Sequence, residues 1–491
     1  MSTTGEWPEY EPQSEPLALA KNTKSKPGRI ISWALWDWGT QPYYTVITTF
    51  VFTVYITTPE YFAWNPDNSN GPTQALSIST TICGIIIALI APVLGQSADR
   101  SGHLVRNMRL LTWVLAAISM ALWFVAPHPA YLILGLVLLA VGTIVGEISS
   151  SFYNATIDQV ATEKNVGKVS GFGWGMGYMG GILVLLVILF VFIQPDVALF
   201  GITDTPTKIR ASMIVCGLWT LLWTIPTFLT LKDRPAVADD SGKLGVWGSY
   251  MALFRSIAHI WKTERQVAYF LLASALYRDG LAAVFTFGAV IAAQSFGFTT
   301  TEIILFGAAA NLIAGVVTIL FGLLDDKIGP KKVILICLAI LAVGATIVFF
   351  LHQPAYSEPQ QICVAATGVC TDNPAYDAAL VAHGKVIFWI FGLILSCLCG
   401  PAQAASRSFL ARIIPEGHSG EIFGLYTTTG RVISFLTPAL VALCIPLGKA
   451  ITGQGSTQHW ALVAIAIVLA AGFCVLMPVK PSSGMTTAPK Q

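Results

Sequence analysis

Five ionisable residues stand inside long apolar stretches of this 491-residue chain: Asp37, Glu147, Arg278, Asp279 and Arg431. A charge near the middle of a bilayer costs at least about 2.5–3.5 kcal/mol on insertion scales, so such positions point to function. Their types suit the reversible making and breaking of ion pairs. A buried carboxylate that loses its cationic partner gains by taking up a proton. The guanidinium groups can meet a carboxylate, and the carboxylates an ammonium, so a zwitterionic solute would suit the set. Arg278 and Asp279 are adjacent and do not face each other on a helix, which argues against a self-contained pair. Asn154, Asn311 and Gln403 add neutral hydrogen-bonding groups, for a solute or for neighbouring helices. Trp33, Trp36, Trp38, Tyr43 and Tyr44 fit either a cavity wall or an interfacial aromatic belt.

The elements that must position these groups follow from composition. Apolar residues make up 54% of the chain and charged residues 11%, against about 25% charged in an ordinary soluble domain. Mean hydropathy is +0.68. These values exclude a soluble enzyme, a nucleic-acid binder and a disordered scaffold, and leave a polytopic membrane protein. A net charge of +2 implies no anionic partner. Twelve runs are long enough to cross a bilayer as helices: 31–57, 77–97, 110–127, 130–153, 169–193, 209–230, 267–293, 302–323, 332–351, 384–406, 421–446 and 459–478. At 1.5 Å per residue, Arg278 lies roughly 18 Å from Gln266, Glu147 roughly 16 Å from Asp158, Arg431 roughly 15 Å from Glu421 and Asp37 about 9 Å from Ile31.

Basic residues fix an expected orientation. Twenty-two Lys and Arg fall in the two tails and the even-numbered connections, Arg407 and Arg412 of the 10–11 loop included, against four on the other face. Both termini are therefore expected in the cytoplasm. No cleavable signal is expected, because the first 30 residues are polar and the first span is too long for a signal core. Seven of the nine cysteines lie in spans, whereas Cys363 and Cys370 share the long 9–10 loop, where a local disulfide is plausible.

The chain also repeats itself. Gly95-Gln-Ser-Ala-Asp99-Arg100-Ser-Gly102 follows span 2, and Gly322-Leu-Leu-Asp-Asp326-Lys327-Ile-Gly329 follows span 8. Both read G-x-x-x-D-[RK]-x-G. The glycines permit close helix approach and a tight turn, and the Asp can pair with a base or a helix N-terminus, so each loop reads as a conformational latch. This predicts a tail (1–30), a six-helix bundle (31–230), a linker with an amphipathic helix around Trp247–Trp261 (231–266), a second six-helix bundle (267–478) and a tail (479–491). Span 5 carries Gly173, Gly177, Gly180 and Gly181, read first as a packing seam.

The doubled loop motif with six-plus-six spans resembles the major facilitator superfamily. More specific segments are Trp33-Ala-Leu-Trp-Asp37-Trp-Gly39, Phe152-Tyr-Asn154-Ala155, the Gly-rich run 170–181, Leu276-Tyr-Arg-Asp279-Gly280 and Gly400-Pro-Ala-Gln403-Ala-Ala-Ser-Arg407-Ser408. Together, over residues 30–445, these are similar to the autophagy-related vacuole effluxer-like permeases. The chain departs from that family at Trp36, at Gly39-Thr40 and at Arg278, where the family usually has Asn. The resemblance implies an all-α fold with spans 1, 4, 7 and 10 around a central path. Asp37 and Glu147 would then face Arg278 and Arg431 across it.

The expected function is a secondary active transporter working by alternating access, with proton-coupled export or exchange of a small polar metabolite such as an amino acid. Alternatives are a carrier of sugars, organic anions or drugs, and a transporter-fold sensor or scaffold. No Walker loop is present, and no enzyme chemistry, cofactor, metal, nucleic acid or obligate protein partner is expected. The partners would be the bilayer, a small-molecule substrate and protons, in a bacterial plasma membrane.

Overall fold

The computed structural model describes residues 26–62, 71–233, 251, 261, 265–357, 361–364, 369–372, 377–414, 419–453 and 457–480. Eleven helices among them are long and apolar enough to cross a membrane. They are spans 2 (Gly71–Ser101), 3 (Leu104–Ala121), 4 (Leu132–Ala155), 5 (Val166–Ile188), 6 (Thr205–Thr230), 7 (Arg265–Phe296), 8 (Thr300–Ile328), 9 (Pro330–Leu351), 10 (Ala378–Ile413), 11 (Ser419–Ile433 with Leu436–Thr452) and 12 (Ala461–Leu476). Span 1 completes the twelve, but it is not one helix. It runs as Pro27–Pro42, then a wide π-helical stretch, Tyr43–Phe50, then Phe52–Ile56.

The chemistry of span 1 explains the change of pitch. Pro42 lacks an N–H, and the β-branched residues after it are stiff. The hydroxyls of Thr48 and Thr49 both donate to the Tyr44 carbonyl, at 2.8 and 2.7 Å. Val51 N–H reaches back five residues to the Val46 carbonyl, the hydrogen-bond pattern of a π-bulge. Span 11 breaks at Ser434–Phe435, between its two helices.

Most helices run past the predicted ends, because hydropathy marks the apolar stretch and not the cap. Span 10 was expected to stop at 406; it continues to Ile413, so Arg407 and Arg412 are buried helix residues and not loop cations. The first helix begins at Pro27, inside the expected tail, preset by a proline at the first helical position. Tail residues 1–25 and nearly all of the linker, Trp247 included, lie outside the described residues; Met251 and Trp261 are exposed. The 9–10 loop adds a hairpin of β1 (Gln361–Val364) and β2 (Val369–Asp372). Its register sets Cys363 opposite Cys370, and their side chains lie outside the described residues.

Large apolar side chains such as Leu229 and Phe350 are 77% and 78% exposed, as a surface facing hydrocarbon requires. Between the two sets of spans, close contact depends on glycine. A side-chain carbon on Gly171 would lie 2.8 Å from Gly322 Cα, and one on Gly175 would lie 2.8 Å from the Gly315 carbonyl. That face of span 5 meets span 8. The opposite face meets span 1: Gly177 lies against Gln41, Gly180 against the Trp38 backbone and Gly181 against Thr45. Span 5 is thus gripped between the first and second sets of spans. Replacing Gly171 with Leu should lower the thermal midpoint in detergent by several degrees, since overpacking costs about 1–3 kcal/mol. Gly288→Ala, where nothing lies within 4 Å, should leave the midpoint unchanged in the same fluorescence melt.

Candidate functional site

An aromatic stack in the first half shapes the site. Tyr153 lies between Trp33 and Trp36, with ring centroids 4.5 and 4.3 Å away. Both tryptophans are buried and tied by their indole N–H groups to Thr156 and Thr112, at 3.1 and 3.0 Å. They therefore belong to the protein core and not to an aromatic belt. The stack holds Asp37 on span 1 and Asn154 on span 4 facing the second half.

Arg407 of span 10 fills that space. One guanidinium nitrogen donates to Asn154 Oδ1 at 3.0 Å and approaches Asp37 Oδ2 at 3.4 Å. Nε donates to Ser170 Oγ at 2.9 Å, and the remaining nitrogen to the Ser170 carbonyl at 2.6 Å. The guanidinium also lies 4.8 Å from the Trp33 ring centre. The Arg407 side chain is only 3% exposed and that of Asp37 16%. Gly173 makes the room, since a side-chain carbon there would lie 2.9 Å from Arg407 and 3.1 Å from the Asp37 carboxylate. Asp37 was expected to face Arg278 or Arg431; it faces Arg407 because span 10 runs on past the predicted end. The sequence signal that could have placed Arg407 in a helix is the pair Ile414-Pro415, since a helix usually ends before the residue preceding a proline, and span 10 ends at Ile413.

Deeper in the bundle Glu147 of span 4 pairs with Arg431 of span 11. Arg278 of span 7 has another arrangement. It donates to the Tyr426 carbonyl at 2.9 Å, and its guanidinium lies 4.0 Å from the Tyr426 ring centre. Asp279 turns to the break in span 11, accepting the Thr437 N–H and hydroxyl at 2.7 and 2.6 Å. It thereby caps the helix Leu436–Thr452, whose first N–H groups have no intrahelical partner. Gln403 lines the cavity between these groups. That cavity measures about 310 Å³ and is walled by Asp37, Glu147, Asn154, Arg278, Gln403, Arg407 and Tyr426 among others. A recess of about 280 Å³ adjoins it at Glu147, Arg278 and Gln403. A third, largely apolar cavity of about 410 Å³ shares Tyr44 and Tyr178 with the polar chamber and also contains Asn311. Asn311 itself donates within span 8, to the Gly307 carbonyl at 2.8 Å.

The paired loop motifs lie on one face. Asp326 accepts the Gly167 and Lys168 N–H groups at 2.8 and 2.9 Å, capping span 5 of the first half. Arg412 bridges Asp326 at 3.0 Å and Asp325 at 3.2 Å, and Ser408 donates to Asp325. Lys327 is exposed at the end of the helix. Gly322 allows the approach, as a side-chain carbon there would lie 2.8 Å from the Gly167 carbonyl. In the other motif Gly95 packs against the Gly420 backbone of span 11. The Asp99 and Arg100 side chains lie outside the described residues. Gly102 and Gly329 close their motifs with φ of 68° and 89°, the left-handed region that glycine enters without a Cβ clash.

A family model described as vacuole effluxer Atg22-like matches residues 72–489. The chain belongs to this family. YxiO of Bacillus subtilis, described as an MFS-type transporter, is 24% identical over 89% of this chain and 92% of its own length. Autophagy-related protein 22-1 of Aspergillus clavatus is 25% identical over 64% of this chain and 50% of its own. The chain thus spans about half the length of that fungal relative. Among solved structures, the proton:xylose symporter XylE aligns with a TM-score of 0.65 and 12% identity, covering 91% of this chain and 94% of that one. The Escherichia coli fucose:proton symporter FucP aligns with a TM-score of 0.60 and 14% identity, covering 92% and 97%. The fold is that of the major facilitator superfamily.

Removing one member of a buried ion pair costs about 3–5 kcal/mol, because the other charge is stranded. Asp37→Asn and Arg407→Gln should each lower the thermal midpoint sharply. The double variant should fall short of their sum, with a coupling of about 1–3 kcal/mol in a double-mutant cycle.

Proposed function

We propose that the chain is a secondary active transporter that works by alternating access between its halves, 31–230 and 267–478. It exports or exchanges a small polar metabolite against protons. Amino acids and organic anions are the classes to try first. The membrane is a bacterial plasma membrane, with both termini cytoplasmic. Even with Arg407 and Arg412 set aside as buried, twenty basic residues remain on that side against four.

One observation supports the reading above the others: three charged contacts at and beside the polar chamber each have one partner in each half. Asp37 meets Arg407, Glu147 meets Arg431, and Asp326 meets the N-terminus of span 5. A contact of this kind holds one arrangement of the halves and must break in the other. In the proposed cycle the Asp326 latch and the Arg407 cluster hold the cytoplasmic face shut. Protonation of Glu147 frees Arg431, the halves rock, and the chamber opens to the other side. A proton moves the equilibrium only by its differential affinity for the two states, and Glu147 has that difference if it is paired in one and unpaired in the other.

The test is counterflow in liposomes with a labelled panel of amino acids and organic acids, with and without a pH gradient. Saturable exchange that a pH gradient accelerates is expected. Glu147→Gln should retain exchange and lose its response to the gradient. Uphill transport by Glu147→Gln at the wild-type rate and with the wild-type pH dependence would remove Glu147 from the coupling step.

A further inference from the structure

Three guanidinium groups line the chamber and its recess, and two are neutralised across the halves, Arg407 by Asp37 and Arg431 by Glu147. Arg278 differs. Among the described residues no carboxylate pairs with it, and its neighbour Asp279 is turned away onto Thr437. One of its five N–H donors goes to the Tyr426 carbonyl. The Tyr426 ring beneath it is fixed by a hydroxyl chain, Tyr426 to Ser406 at 2.8 Å and Ser406 to Tyr277 at 2.5 Å. Gly430 leaves room beside it, since a side-chain carbon there would lie 3.0 Å from the guanidinium. The result is a rigidly seated cation with donors to spare, facing both the chamber and the recess.

A planar guanidinium fork matches a carboxylate through two parallel hydrogen bonds. An ammonium group has no such vacancy: Asp37 and Glu147 each already have an arginine. The largely apolar 410 Å³ cavity opens next to the chamber past Tyr44 and Tyr178, which suits an apolar body behind the charged head. We propose that Arg278 binds the substrate's carboxylate, and that the substrates are organic monoanions with an apolar body and no need of an ammonium group. The assignment rests on the chamber being the substrate site of the transporter described above.

The test uses the purified full chain and the ligand-induced change in its tryptophan fluorescence, to which Trp36 and Trp174 at the chamber contribute among 14 tryptophans. The probes are phenylacetate, hexanoate, L-phenylalanine and the uncharged phenylacetamide. The two simple acids should bind saturably, the amide at least tenfold more weakly, and phenylalanine no tighter than phenylacetate. Arg278→Gln should weaken acid binding at least tenfold, and Arg278→Lys by less. If Arg278→Gln does not fold, the acid-against-amide comparison on the wild type decides alone. Equal binding of acid and amide, no binding of either acid, wild-type acid affinity in folded Arg278→Gln, or phenylalanine binding tenfold tighter than phenylacetate would each overturn the proposal. Acids that bind through Arg278 but do not exchange across liposomes would refute the transport reading and leave the Arg278 assignment standing. Exchange of the acids by folded Arg278→Gln at the wild-type rate and affinity would do the reverse.

Discussion

Arg407 carries a charge that its own half of the molecule does not neutralise. It is buried on span 10, and the carboxylate, amide and hydroxyl that satisfy it come from spans 1, 4 and 5. A guanidinium withdrawn from water without partners is among the costliest groups a protein can hold. The two halves are therefore locked together at this point for as long as Arg407 is dry. Much of the surrounding structure serves that contact. The Trp33–Tyr153–Trp36 stack fixes the acceptors, and Gly173 keeps span 5 thin enough for the guanidinium to reach them.

The loop motifs extend the same logic to the surface. Asp326 supplies a carboxylate to the unsatisfied N–H groups that begin span 5, a contact worth about 1–2 kcal/mol where partly buried. Such a bond is strong enough to bias a conformation and weak enough to be exchanged. In the other motif, Gly95 packs span 2 closely against the Gly420 backbone at the start of span 11. The broken span 11 is held at both pieces by adjacent residues of span 7, Arg278 on the first helix and Asp279 on the second. In the proposed cycle these would be the contacts that hold or release as the halves rock.

The spans were legible because twelve long apolar runs leave a bilayer few alternatives. The pairing of Glu147 with Arg431 was among the pairings that depth and face allowed. Arg407 was missed as a site residue because hydropathy falls at the end of the apolar run while the helix continues for nearly two more turns. Asp279 was read as a pathway charge; it lines the recess, and its bonds go to a helix N-terminus that exists only because span 11 breaks at Ser434–Phe435. Nothing in local composition announces that break. Trp33 and Trp36 carried no periodic signal separating core from belt, and their partners Thr112, Tyr153 and Thr156 are distant in sequence.

The central claim is that charge contacts across the halves hold one face shut and that breaking them opens it. Spin labels at Lys164 and Lys332, both exposed and on opposite halves of that face, report the separation directly by electron–electron resonance. A variant combining Arg407→Gln with Asp326→Ala should shift the distance distribution several ångströms longer than that of the otherwise unchanged chain. An unchanged distribution in a folded double variant would contradict the account.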